Sequence, residues 1–210
     1  MGWGMRFCSS IVFLCLAVVA DAQVSNKASV LAGVDDIRPR MLSVNQAIWS
    51  YAEPGLEETR SSKELIDWLA ENGFSVRSDV AGMPTAFVAS YGEGKPVIAY
   101  LAEYDALIGV SQKAVPHREQ RDDPSIISGH GCGHSVFGTG STAAAIALAQ
   151  VMALKKLPGT VRLYGTPAEE TVDAKTFMLR DGLFDDVDVV LSWHTSDQTG
   201  ASYRYTKAVL

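Results

Sequence analysis

Apolar and polar positions divide this chain into short, well-punctuated elements. Over 41–53 the apolar side chains fall at Leu42, Val44, Ala47, Ile48 and Tyr51, one face of a helix that Pro54-Gly55 ends. Ser61-Ser62-Lys63-Glu64 has the form of a capping box, in which the Ser61 hydroxyl accepts from the Glu64 amide while Glu64 reaches back. The helix it predicts turns Leu65, Trp68 and Leu69 inward and stops at Asn72-Gly73. Strand-like runs follow over 85–91 and, after a turn at Gly92-Glu93-Gly94, over the nearly continuous apolar stretch 96–101.

Residues 106–130 carry Pro116, Pro124 and a charged cluster from His117 to Asp123, and read as a long loop. An excursion of that length in a compact domain is more often functional than idle. The strongest helical pattern covers 135–156, where Gly138, Gly140 and Ala143 to Ala145 would allow close approach to a sheet. A buried strand is predicted over 160–164, a short helix over 175–180 closed by Gly182, and a further strand over 187–192. Strands alternating with helices predict an α/β fold, with a largely parallel mixed sheet flanked by helices on both faces.

The beginning of the chain has a different character. Arg6 precedes an apolar stretch from Phe7 to Ala20, and Ala20-Asp21-Ala22 offers a small-x-small cleavage site. Residues 1–22 are therefore expected to be a signal peptide, giving an exported protein, periplasmic or secreted, that is free of the membrane after cleavage. Residues 23–40, polar and irregular, are expected as a flexible lead-in to a domain over 41–210. Cleavage would remove Cys8 and Cys15 and leave Cys132 as the one cysteine, so no internal disulfide framework is expected. The formal net charge of −6 and the lack of a basic patch with interleaved aromatics exclude a nucleic-acid-binding reading.

The candidate chemistry lies in three segments: Gly129-His130-Gly131-Cys132-Gly133-His134, Pro167-Ala168-Glu169-Glu170 and Ser192-Trp193-His194. Thiolate, imidazole and carboxylate are the side chains that hold a borderline-soft divalent metal such as zinc. Asp105, Glu169, Glu170 and His194 each follow a predicted strand, and ligand sites in open α/β sheets collect beyond the carboxyl ends of strands. Cys132 and His134 are two apart, so in an extended loop both point the same way. The helix entered after His134 is expected to favour the Cys132 thiolate. Adjacent Glu169 and Glu170 point in different directions, so one can bind metal while the other faces a bound water. Asp105 is placed to fix a ligating imidazole, and His130 reads as a ligand, an orienting neighbour or a turn cap.

These residues resemble a known group. His130-Gly131-Cys132-Gly133-His134, Pro167-Ala168-Glu169-Glu170 and Trp193-His194 are similar to the metal-site motifs of the amidohydrolase/peptidase family that contains aminobenzoyl-glutamate hydrolase, auxin-conjugate hydrolases and hippurate hydrolase. Ala81-Gly82-Met83-Pro84-Thr85-Ala86-Phe87 and Leu101-Ala102-Glu103-Tyr104-Asp105-Ala106-Leu107 resemble the B branch of aminobenzoyl-glutamate hydrolase. The resemblance implies hydrolysis of the amide bond of N-acyl or N-aroyl amino acids or small dipeptides at a centre of two divalent metal ions, zinc first and manganese second. It implies Cys132, His134, Glu170 and His194 as metal ligands, Glu169 as general base and then acid, and Asp105 as the acidic residue supporting the site. It also implies that relatives form homo-oligomers through an inserted dimerisation domain and return to the catalytic domain with a further histidine. This chain, ending at Leu210, is expected to be the N-terminal part of that domain. The alternatives are an inactive or metal-binding-only fragment, and a hydrolase that uses Cys132 as nucleophile.

Overall fold

The computed structural model describes the backbone of residues 7–200 and the side chains from residue 26 onward. The export signal expected over 1–22 lies outside the residues whose side chains are described. Helix α1 (Phe7–Tyr51) leads to helix α2 (Thr59–Glu71), and a strand β1 (Ser75–Ser78) precedes β2 (Phe87–Glu93) and β3 (Val97–Ala102). Two short strands, β4 (Leu107–Ile108) and β5 (Ser128–Gly129), pair across the base of the long excursion. Helix α3 (His134–Lys155), β6 (Gly159–Gly165), helix α4 (Ala174–Arg180) and β7 (Val189–Leu191) complete the described elements.

The main sheet is mixed, in the order β1-β2-β6-β3-β7. Strand β3 runs parallel to both β6 and β7, while β1–β2 and β2–β6 are antiparallel. The turn at Gly92-Glu93-Gly94 therefore does not close a hairpin, because β6 inserts between β2 and β3. Along β2 the alternation of a strand sends Phe87 and Ala89 into a core with α1, α2 and α3, and Val88 into a second core with α4. Val44, Ile48, Leu65, Trp68, Leu69 and Ile146 fill the first; Val80, Met83, Tyr164 and Met178 fill the second. Both faces are covered, as the pattern of elements predicts.

Two local expectations are corrected. Residues 23–40 are helical rather than an irregular lead-in, since α1 runs through them. Val34, Ile37, Met41, Val44 and Ile48 recur at helical spacing, and Ile37 and Met41 pack on the core; Pro39 and the flanking charges Asp35, Asp36, Arg38 and Arg40 conceal that stripe in the sequence. Ser61 is not a capping-box residue, because α2 begins two positions earlier. The Glu53 carboxylate instead accepts from the Arg60 amide (3.1 Å), the Ser61 amide (2.8 Å) and the Ser61 hydroxyl (2.8 Å), which satisfies the start of the helix from outside it. The strand expected over 187–192 forms as β7, and its Val189, Val190 and Leu191 are about half exposed because β7 is the edge of the described sheet.

Close approach of α3 to the sheet depends on Gly138. A Cβ there would lie 2.5 Å from the Glu103 carbonyl oxygen, a backbone atom that cannot swing aside. Gly138→Ala is expected to destabilise the protein by about 1–3 kcal/mol, the usual cost of forcing a methyl into a packed interior. A thermal melt followed by circular dichroism checks this, and an unchanged midpoint would show that α3 can shift without penalty.

Candidate metal centre

Strands β3, β6 and β7, the parallel set, end at one edge of the sheet, at Ala102, Gly165 and Leu191. The chain leaving each delivers acidic or imidazole groups there: Glu103 and Asp105 after β3, Glu169 and Glu170 after β6, His194 after β7. The loop entering α3 adds Cys132 and His134. Its turn needs Gly133, which is left-handed at φ 84° and sits where a Cβ would meet Thr195 Oγ1 at 2.5 Å. Thr195 Oγ1 in turn donates to the Cys132 carbonyl at 2.9 Å, tying the segment after β7 to the thiol-bearing loop.

His134 is the hub. Its Nδ1 lies 2.8 Å from Asp105 Oδ1, with both side chains buried, which fixes the ring and leaves Nε2 facing the crevice. Around Nε2 stand Glu103 Oε2 at 3.1 Å, Glu169 Oε2 at 3.9 Å and Glu170 Oε1 at 4.0 Å. The other oxygen of Asp105 accepts from the Glu170 amide at 2.9 Å, so one buried carboxylate orients both the imidazole and the Glu169-Glu170 turn. Cys132 Sγ is 3.5 Å from His194 Nε2. Donor atoms of Cys132, His134 and His194 lie within 4.8 Å of one another, and so do those of Glu103, His134 and Glu169.

The electrostatics show a site short of positive charge. Burial disfavours the His134 cation, but hydrogen bonds to Asp105 and Glu103 override it and raise the imidazole to about 10. Burial, followed by the Glu170, Glu169 and Glu103 carboxylates, pushes the Cys132 thiol up to about 11. The expectation that the start of α3 favours the Cys132 thiolate is therefore corrected, because burial and then crowded carboxylates outweigh a helix end. Burial and then the Glu103 charge raise the Glu169 carboxyl. His134 Nε2 and Glu170 Oε1 are buried without a well-aligned hydrogen-bond partner. A divalent cation would satisfy both atoms, stabilise the thiolate and offset the carboxylates, so the donor set fits a metal.

The sequence-predicted residues Asp105, Cys132, His134, Glu169, Glu170 and His194 are thus brought together. His130 is not part of the cluster: its Nε2 pairs with the Ile48 carbonyl at 3.1 Å, and burial lowers it to about 4. His117 is exposed, paired with Glu119. Sequence reasoning assigned no role to Glu103, which is buried between His134 and Lys175, its Oε1 accepting from Lys175 Nζ at 2.8 Å. The signal was present, since Glu103 and Asp105 are two apart beyond an apolar strand and so share a direction.

A mixed sheet with an acid-, imidazole- and thiol-lined crevice beyond its parallel strands defines a metallohydrolase-type α/β domain. The chain belongs to peptidase family M20/M25/M40, whose model matches residues 99–207. It is 46% identical over 157 residues to the B-branch subunit of p-aminobenzoyl-glutamate hydrolase from Escherichia coli, a match covering 75% of this chain and 32% of that protein. It is 27% identical over 161 residues to hippurate hydrolase of Campylobacter jejuni, covering 76% of this chain and 40% of the relative. Among solved structures it resembles the Bacillus subtilis YXEP protein, described as a dinuclear metal binding peptidase, with a TM-score of 0.61 and 26% identity over 77% of this chain and 44% of that one. The chain spans a third to two fifths of the length of these curated relatives.

Proposed function

We infer that this chain carries the metal-binding half of an amidohydrolase site that cleaves the amide bond of N-acyl or N-aroyl amino acids, of the aminobenzoyl-glutamate kind, or of small dipeptides. The observation that carries the reading is the convergence of Cys132, His134 and His194 with the carboxylates of Glu103, Glu169 and Glu170. The 46% identity to one of the p-aminobenzoyl-glutamate hydrolase chains supports the substrate class. Cys132, His134, Glu170 and His194 would hold two divalent ions, zinc or alternatively manganese, soft and borderline donors favouring the first. Bound there, such ions supply Lewis acidity toward the amide carbonyl and toward water. Asp105 holds the His134 ring through Nδ1, which leaves Nε2, facing the Glu103 carboxylate, as the nitrogen that would ligate. Glu169, more exposed than Glu170 and with a raised carboxyl, takes a proton from the attacking water and returns it to the leaving amine. The export expected from residues 1–22 would place this chemistry outside the cytoplasm.

The 3.5 Å approach of Cys132 to His194 favours a second reading, a cysteine nucleophile activated by histidine. A thiol pushed up to about 11 is poorly activated, and that reading gives Glu103, Glu169 and Glu170 no task. Metal uptake separates the two. Zinc at about a hundred times its Kd is expected to stabilise the protein by about 2.7 kcal/mol. That corresponds to a melting-temperature rise of roughly 5–11 °C, reversed by chelator. A melt insensitive to zinc, manganese and chelator would remove the metal reading.

A further inference from the structure

One buried carboxylate outside the cluster is tied to two of the arms that form it. Glu58, the residue before α2, is fully buried. Its Oε1 accepts from the amide of Ala168 at 2.7 Å, and its Oε2 accepts from Thr85 Oγ1 at 2.9 Å. Ala168 directly precedes Glu169-Glu170 and is held at a left-handed φ of 57°, a conformation an alanine does not adopt without external support. The Thr85 carbonyl accepts from the Tyr104 hydroxyl at 2.6 Å, and Tyr104, fully buried, sits between Glu103 and Asp105. One side chain therefore reaches the Glu169-Glu170 turn directly and the Glu103–Asp105 segment through Thr85 and Tyr104.

We propose that Glu58 is a positioning residue for the metal centre, holding the Ala168 turn so that Glu169 and Glu170 face His134. Stability alone is a poor reason for an acid at this place. Burial pushes its carboxyl up to about 7, so its charged form is disfavoured where a neutral residue would carry no such cost. Helix α2 does not need its side chain either, because Glu53 already caps the helix amides and the Glu58 side chain makes no capping bond. What Glu58 supplies that an apolar residue cannot is a fixed acceptor for the Ala168 amide, next to the turn that carries two carboxylates. This inference rests on the metal-centre reading above.

The test is cobalt(II) titration of the full chain, followed by visible absorption, for wild type, Glu58→Gln, Glu58→Ala and Glu58→Leu. Loss of a group that orients ligands typically costs tenfold to a hundredfold in metal affinity. Glu58→Ala and Glu58→Leu are expected to weaken cobalt binding by about tenfold or more and to change the intensity of the ligand-field band, a readout of ligand geometry that bulk destabilisation does not move. Glu58→Gln, which keeps an acceptor for Ala168, is expected to return within about threefold of wild type. Folded apolar variants with wild-type affinity and band would overturn the proposal. So would failure of both apolar variants to fold while Glu58→Gln folds, which would make Glu58 a structural residue. Wild type showing no cobalt band would remove the metal-centre reading itself, and this proposal with it.

Discussion

Under the proposed amidohydrolase reading, Glu169→Gln in zinc-loaded protein is expected to lower any kcat for aminobenzoyl-glutamate by about 10²- to 10⁴-fold, the range for a positioned general base. Metal content and melting temperature are expected to stay near wild type. The distinction follows from geometry. Glu169 Oε2 is 3.9 Å from His134 Nε2 on a side chain 37% exposed, so it reaches both the cluster and the solvent from which water and substrate arrive. Glu170 is more enclosed, its amide is held by Asp105, and its buried Oε1 has no hydrogen-bond partner and faces His134 Nε2 at 4.0 Å, which suits a metal ligand. Glutamine keeps the size of Glu169 but cannot take a proton. Turnover and zinc content measured on the same preparations decide the matter. A variant that loses zinc together with activity would make Glu169 a ligand. A wild type that holds zinc yet shows no turnover would favour the metal-binding-only reading.

Much of this arrangement was legible because the chemistry-bearing residues sit at element ends. Apolar runs predicted β3, β6 and β7, and each delivers its acid or imidazole just past its last residue. The Gly-rich loop before α3 marked the thiol and the hub imidazole. What escaped depended on contacts between distant segments. Glu58 and Glu53 lie in a charged stretch that reads as solvated surface, and only the folded chain shows Glu53 capping α2 and Glu58 gripping Ala168, 110 residues away. Pairing order escaped for the same reason. Nothing local in Gly92-Glu93-Gly94 announces that β6 will insert between β2 and β3. The thiol misleads because a helix end is a short-range, modest influence, whereas burial and then three carboxylates, brought by the segments after β3 and β6, disfavour the Cys132 thiolate.

The same convergence makes His134→Ala the substitution with the largest expected effect on the folded protein. Removing the imidazole leaves Asp105 and Glu103 buried, one without its ring partner and the other with Lys175 as its remaining cationic partner. Breaking a buried charged pair by deleting one partner typically costs about 3–5 kcal/mol, because the survivor's desolvation is no longer compensated. A cavity term adds to this, since the His134 ring packs against Phe137 and His194 at centroid separations of 6.4 and 5.6 Å. Zinc binding should weaken sharply in the same variant, because the Cys132–His134–His194 and Glu103–His134–Glu169 donor groups both lose the imidazole they share. The paired control is Asp105→Asn with His134 intact, which keeps the ring but weakens its anchor and should retain weakened zinc binding. Urea denaturation with and without zinc measures both effects. If His134→Ala kept both its midpoint and its response to zinc, the imidazole would be neither the electrostatic hub nor a ligand.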